Sequence, residues 1–505
     1  MNPNIKTILR DLGLFLHVPG LMALLSLVVC LFCREYYALR PFILTAIASL
    51  GAGQLLYRRF KKAQTSNTRY AMLTVALAWG ILPLFGAIPF ILIASHLAQF
   101  PETPVTVLEF QKSWNAIFEA FSGFTSAGLS MALHYSELPR SLLWWRSFME
   151  WIGGVGVIVL VVSLLEPSTD ASQLYNAEGR EKKISLTLQA TVRRIWWIYL
   201  LYSLASIILL RVVGMTWWEA LNHGLTGIST GGFSVRDDSI GAYSAAVKIA
   251  VIVIMTAGAI SFPAHYQLLR HGRFKALWQS PQHKALWFLL VVGTLVLLLV
   301  NYSDRGSFLW VDTVFQWSSA LGTCGFGTVD LQGWSEKAKL WLSLAMFIGG
   351  AAGSTAGGLK LNRFVFLYNA VVWRFQRISL KPHQLMRYDF DGEVLTEAEA
   401  NRQIEAAAVL AILMIVTLIT GVFVLLQVVL PEYTLADVIF ESASALSSVG
   451  LSTGISHPDL PWVGKLTLII LMWMGRLEII PVLLLFSAGA NVLLVKPKFS
   501  RRRKR

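Results

Sequence analysis

Phe124-Thr125-Ser126-Ala127-Gly128-Leu129-Ser130 returns three times further along the chain, as Ile228-Ser229-Thr230-Gly231-Gly232-Phe233-Ser234, Leu321-Gly322-Thr323-Cys324-Gly325-Phe326-Gly327 and Leu446-Ser447-Ser448-Val449-Gly450-Leu451-Ser452. Glycine holds the fifth place in every copy, Ser or Thr the third, and a large apolar residue follows the glycine. The register extends backwards. Thirteen residues before the glycine stand Asn115, Glu219, Asp312 and Asp437, and nine before it Glu119, His223, Gln316 and Glu441. Apolar residues such as Phe118, Phe315 and Phe440 lie between them at helical spacing. Self-similarity of this kind marks one structural unit used four times. Each unit reads as a short helix, opened by a capping or acidic residue and closed by a loop of small residues.

A helix of about ten residues cannot cross a bilayer. Followed by irregular backbone and set between two full spans, it reads as a re-entrant pore loop, a form tolerated at membrane depth where it lines a watery cavity. The chemistry follows from the backbone. A dehydrated monovalent cation needs several oxygens, which carbonyls aimed at one axis supply without a fixed charge that would hold the ion too tightly. Turning successive carbonyls inward calls for glycine's freedom of φ, and each helix C-terminus adds negative partial charge. The filter candidates are Thr125, Ser126, Ala127 and Gly128; Ser229, Thr230, Gly231 and Gly232; Gly322, Thr323, Cys324 and Gly325; and Ser447, Ser448, Val449 and Gly450. Close helix packing in lipid would explain one small-residue run, but not four in register with matching helices.

The rest of the chain agrees. Its 505 residues are 55% apolar and 14% charged, the balance of a membrane protein, and several windows of 17 residues or more are apolar enough to span. The first apolar run follows Lys6 and Arg10, and with no small-x-small site before Cys33-Arg34 it reads as a retained span rather than a signal peptide. The three cysteines, Cys30, Cys33 and Cys324, read as structural. The net charge of +14 is spread in clusters between spans instead of over one face, which argues against nucleic acid. These clusters are Arg58–Arg69, Arg180–Arg194, Arg270–Lys284, Lys360–Arg387 and Lys496–Arg505, and all should be cytoplasmic.

Ten crossings satisfy that alternation, paired as 12–32 with 41–57, 70–97 with 141–165, 195–214 with 244–269, 285–301 with 337–358, and 404–430 with 463–494. The expected fold is therefore an all-α polytopic membrane protein of ten transmembrane helices, with four tandem helix, pore loop, helix units around one pore plus two N-terminal helices. The expected boundaries are 1–68 for the N-terminal pair, 69–170, 171–275, 276–385 and 386–495 for the units, and 496–505 for a basic cytoplasmic tail.

Catalytic signatures are missing. The nearest approach to a phosphate loop, Gly353 to Lys360, lacks the GK[ST] ending and lies at membrane depth; HExxH, paired CxxC and dinucleotide fingerprints do not occur. No enzyme is expected. Without a helix bearing a cation at every third residue, direct voltage sensing is not expected either.

On these motifs the chain resembles the TrkH/TrkG/KtrB superfamily of potassium translocators, over nearly its whole length and nearer the TrkH/TrkG type because of the two extra N-terminal spans. Trp151-Ile152-Gly153-Gly154-Val155-Gly156, the second filter, Gly349-Gly350-Ala351-Ala352-Gly353-Ser354-Thr355-Ala356-Gly357-Gly358 and Gly475-Arg476-Leu477-Glu478 carry the resemblance. It implies K+ uptake across a bacterial cytoplasmic (inner) membrane, with both termini inside. The ion would be held at Ser126, Ala127, Thr230, Gly231, Thr323, Cys324, Ser448 and Val449. In related plant transporters a serine for the first filter glycine accompanies sodium permeation, so Gly128 favours potassium. Ser126-Ala127 and Cys324 depart from the usual side chains and bear on fine selectivity.

The resemblance also implies a gate below the filter, formed by Gly349, Gly350, Gly353, Gly357 and Gly358 in a glycine-broken segment. Arg476, ionisable at mid-span, and Lys360 join it. A homodimer with one pore per protomer, resting on a TrkA-like cytosolic nucleotide-binding subunit, is the implied assembly, with no organic cofactor on this chain. The alternatives are the ion-binding subunit of an ATP-driven pump, similar to KdpA, and a sodium- or proton-coupled carrier.

Overall fold

The computed structural model describes residues 3–63, 67–156, 188–305, 310–379, 381 and 386–494. The expected second half of span 141–165, most of loop 166–194 and the tail 496–505 lie outside them.

The N-terminal apolar run folds as α1 (Pro3–Phe15) and α2 (His17–Phe32), which together give one apolar stretch from Asn4 to Phe32; α3 (Leu39–Phe60) packs beside both. The first span of unit 1 is α4 (Thr68–Gly86) continued by α5 (Ile88–Leu97). Its pore helix is α6 (Ser113–Thr125), and its second span begins with α7 (Arg140–Val155). Unit 2 consists of α8 (Leu188–Val212), pore helix α9 (Trp217–Ile228), α10 (Ala245–Ala259) and α11 (Phe262–His271). Unit 3 follows as α12 (Pro281–Arg305), pore helix α13 (Trp310–Leu321), α14 (Glu336–Ile348) and α15 (Leu361–Ser379). Unit 4 is α16 (Glu397–Leu425), pore helix α17 (Leu435–Leu446), α18 (Trp462–Arg476) and α19 (Ile480–Leu494).

Local chemistry explains where these helices start. Thr216 with Glu219, and Thr434 with Asp437, form capping boxes on two pore helices, while Ser244 and Ser335 cap α10 and α14. At Glu219 and Asp437 the acidic position predicted to open the short helix thus does so by satisfying backbone N–H groups.

The second spans differ from the expected continuous helices. Residues 244–269 fold as α10 and α11 bent by 104°, and 463–494 as α18 and α19 bent by 118°. A proline follows each bend, Pro263 and Pro481, at the start of the next helix. Proline cannot continue an incoming helix but suits the first turn of a new one. At the second bend Glu478 and Ile479 both take positive φ, +55° and +69°. The second span of unit 3 stops at Ile348 and restarts at Leu361, the break anticipated from its glycines. By length and apolarity six described helices qualify as spans, or eight if each bent pair counts once. The 16-residue α7 and 13-residue α14 fall short of that measure, so length and apolarity alone do not give the predicted ten.

The pore helices occupy the interior, with Phe118, Phe315 and Phe440 fully buried. Apolar side chains on α12 and α16 face outward, among them Val291, Leu299, Ile419 and Phe423, as expected of helices bathed in lipid. Between α15 and α16 a two-stranded hairpin, Tyr388–Phe390 against Glu393–Leu395, stacks Phe390 on Phe366.

Candidate ion pathway

All four pore helices end in the same way. The N–H of Ala127, Gly231, Cys324 and Val449 reaches back to the carbonyl of Ser122, Thr226, Ser319 and Ser444 at 2.9, 2.9, 2.8 and 2.9 Å. The preceding residue, at third place, bonds the carbonyl three back. This is the Schellman closure, whose left-handed residue is usually glycine. Here it is Ser126, Thr230, Thr323 and Ser448, each with φ between +51° and +52°. The fifth-place glycines follow at φ +74°, +90°, +88° and +102°. Positive φ thus recurs at the third and fifth places of every loop, and the sequence foretold only its glycine half.

The four loops meet in cyclic order. A Cβ on Gly128 would run into the Gly231 carbonyl, one on Gly232 into that of Cys324, and one on Gly325 into that of Val449. Added to Gly450, it would lie 2.7 Å from the Ala127 carbonyl and 2.8 Å from the Gly128 Cα. Loops 1, 2, 3 and 4 therefore close a ring around one axis, tight enough to exclude any side chain at the fifth place.

Each limb that leaves the ring is tied to its own helix by the residue nine before the glycine. Glu119 accepts from Ser130 Oγ and Met131 N–H, both at 2.8 Å, and Glu441 from Ser452 Oγ and Thr453 N–H. His223 Nε2 lies 2.9 Å from Ser234 Oγ, and Gln316 donates to the Val329 carbonyl at 3.4 Å. Sequence reasoning used these four residues to establish register and missed their work as ties.

It also missed the charged side-chain pairs behind the ring. Arg146, 1% exposed, pairs with Glu119 at 2.6 Å and donates to Ser130 Oγ and the Ser234 carbonyl, both at 3.1 Å. It thereby joins the limbs of loops 1 and 2. Lys248 pairs with Asp312 at 2.9 Å and Lys339 with Asp437 at 2.6 Å, so the second spans of units 2 and 3 each pin the start of the next pore helix. Arg146 lies inside a predicted span; the rule that singled out Arg476, an ionisable group at membrane depth, would have found it.

The segment 349–358 lies against three of the four loops. Gly357 N–H donates to Thr323 Oγ1 at 2.6 Å, its Cα abuts the Ser447 carbonyl, and Thr355 Oγ1 lies 3.3 Å from Thr230 Oγ1. It leaves and rejoins the helical path at one point, because Leu359 and Leu361 N–H reach the Phe347 and Gly350 carbonyls, each at 2.9 Å. Gly349, Gly353 and Gly358 take φ of +74° to +76°. Gly350 packs on Ala259 and Ala356, and Lys360 Nζ donates to the Ala356 carbonyl.

Arg476 ends α18, instead of standing mid-helix, and reaches the end of α7. Its Nη2 donates to the Gly153 carbonyl and, at 3.1 Å, to that of Gly154, with the guanidinium over Trp79 at 5.2 Å. Glu478 turns away to Arg363 of α15, 2.5 Å distant.

Four re-entrant units closed into one ring within a bundle of apolar helices make a pore-forming membrane transporter. A sequence profile described as TrkH, cation transport protein, matches residues 40–492. The chain belongs to the TrkH family of cation transport proteins, a family of multi-pass membrane transporters and not of enzymes. It is similar to an uncharacterised cation transporter of Methanocaldococcus jannaschii, 32% identical with 96% of each chain covered. The Trk system potassium uptake protein TrkH of Vibrio parahaemolyticus is 29% identical, over 95% of this chain and 98% of that one. Among solved structures, the potassium transporter TrkH from Vibrio parahaemolyticus superposes with a TM-score of 0.79 at 26% identity, covering 98% of this chain and 100% of that chain.

Proposed function

We propose that this chain carries potassium into the cell across the cytoplasmic membrane, with the third- and fourth-place residues of the four loops as the ion's carbonyl cage. The observation that carries the reading is the closed cyclic order of the four glycines, each set against the next loop's backbone. Relatives named as potassium uptake proteins, matching end to end, support potassium as the ion. Beneath the ring, 349–358 and Arg476 form the gate. The first packs against loops 2, 3 and 4, and the guanidinium binds carbonyls at the end of α7. Both termini lie on the cytoplasmic side, where the basic clusters are. Two chains associate, and a TrkA-like nucleotide-binding subunit engages loops 166–194 and 359–402 and the basic tail; most of the first and all of the last lie outside the described residues.

The test is flux into vesicles containing the purified protein, with potassium, rubidium, sodium and lithium compared under one gradient. Potassium and rubidium should pass well ahead of sodium and lithium. Equal passage of all four, or none of any, would sink the reading.

A further inference from the structure

Aligning the second spans on the glycines that meet the pore helices, Gly153, Gly258 and Gly475, and on the Gly349-Gly350 pair of unit 3, brings four residues into equivalence three positions earlier. They are Glu150, Met255, Met346 and Met472. All four are fully buried. Three units thus place a methionine at this level and the first places a carboxyl. A buried ionisable side chain in a membrane bundle is costly unless it has a specific task.

The position of that carboxyl defines the task. Phe233 N–H, one residue past the Gly232 of the ring, donates to both oxygens, at 3.0 and 3.3 Å. The Glu150 main-chain carbonyl accepts from Ser126 Oγ of loop 1 at 3.0 Å. One residue of α7 therefore touches loop 1 through its backbone and loop 2 through its side chain. The carboxyl also fills a particular space. A Cβ on Gly231 would collide with the Glu150 Cδ and Oε2. The other loops carry buried side chains at this fourth place, Ala127, Cys324 and Val449. Loop 2 carries glycine there because the carboxyl occupies the room a side chain would take. Glu150 and Gly231 are a matched pair, which accounts for the Thr-Gly-Gly sequence unique to this loop.

We infer that Glu150 is a positioning residue for ion selection: its carboxyl holds Gly231 and Gly232 of loop 2 at the ring through the Phe233 N–H. The inference rests on the transport reading above and adds a determinant outside the four loops. Without the acceptor, the Phe233 N–H is left buried and unpaired, and loop 2 relaxes into the space beside Gly231. Potassium then loses its advantage over sodium while the path stays open.

Vesicle flux for Glu150→Gln and Glu150→Met tests it, alongside the unchanged protein. An amide oxygen still accepts from Phe233, so Glu150→Gln should keep the potassium-to-sodium ratio within about twofold of the parent. Glu150→Met, the residue of the other three units, should lower that ratio about tenfold, equivalent to about 1.4 kcal/mol, with potassium flux retained. Glu150→Leu replaces it if the methionine variant is not recovered folded. An unaltered ratio in the apolar variant makes Glu150 a mere space-filler and overturns the inference. A loss in Glu150→Gln equal to that in Glu150→Met overturns it too, since charge and not the hydrogen bond would then be the cause. Absence of selective flux in the parent protein overturns the transport reading itself.

Discussion

At the scale of single residues, the ring is governed by what the backbone permits. Ser126, Thr230, Thr323 and Ser448 accept a left-handed conformation that L-residues disfavour, because two main-chain hydrogen bonds close over each. The fifth-place glycines have no such latitude. At Gly450, φ is +102° and a methyl would meet the backbone of loop 1. Strain of that kind costs about 1–3 kcal/mol, and each 1.4 kcal/mol is about a tenfold effect. Gly450→Ala should therefore yield a folded protein whose potassium flux in vesicles falls about tenfold or more. Normal flux in that variant would mean that the ring is wider than these contacts require.

At the scale of elements, the feature that recurs is the interrupted second span. Units 2 and 4 bend at Ser261 and at Leu477–Ile479, unit 3 opens into 349–360, and α7 of unit 1 ends at Val155 with Gly156 at φ +89°. These breaks fall where the spans pass the C-termini of the pore helices, since Gly153, Gly258, Gly357 and Gly475 each abut a carbonyl there. The proposed gate sits at this level. A fixed cation about 6 Å from the ion path, at an effective dielectric near 20, opposes a potassium ion by roughly 3 kcal/mol. That is on the order of a hundredfold in occupancy. Arg476→Ala, or a deletion within 349–358, should raise basal potassium flux and leave the order of cation preference unchanged. A folded variant that conducts less, or that loses selectivity without gaining flux, would remove the gate from this place.

At the scale of the whole molecule, four units in cyclic contact complete one pore within one chain, so two chains would bring two pores. The 359–402 region, with α15 and its hairpin packed through Trp373, Tyr388 and Ala400, is a proposed docking surface for the cytosolic partner. Purified protein should have the mass of two chains in detergent, and should recover a nucleotide-binding protein in a pull-down that deletion of 388–395 abolishes. A monomer that recovers no such protein would contradict both parts of the proposed assembly.

The fourfold unit, its register and the break in unit 3 are legible in the residue order, because each is written in neighbouring residues. A glycine at each fifth place, polar residues at fixed helical offsets and a run too glycine-rich for a helix are all local demands. The bends just before Phe262-Pro263 and Ile480-Pro481 were equally local, and were hidden by apolar runs long enough to pass as single spans. The order in which the loops close, the ion pair of Arg146 with Glu119, and the reach of Arg476 to Gly153, 323 residues away in the chain, emerge only in the packed molecule. It alone set Glu150 against Gly231. Such contacts join positions with no spacing in common, so no periodicity announces them; they exist because a low-dielectric interior obliges every buried charge and N–H to find a partner wherever the packed chain supplies one.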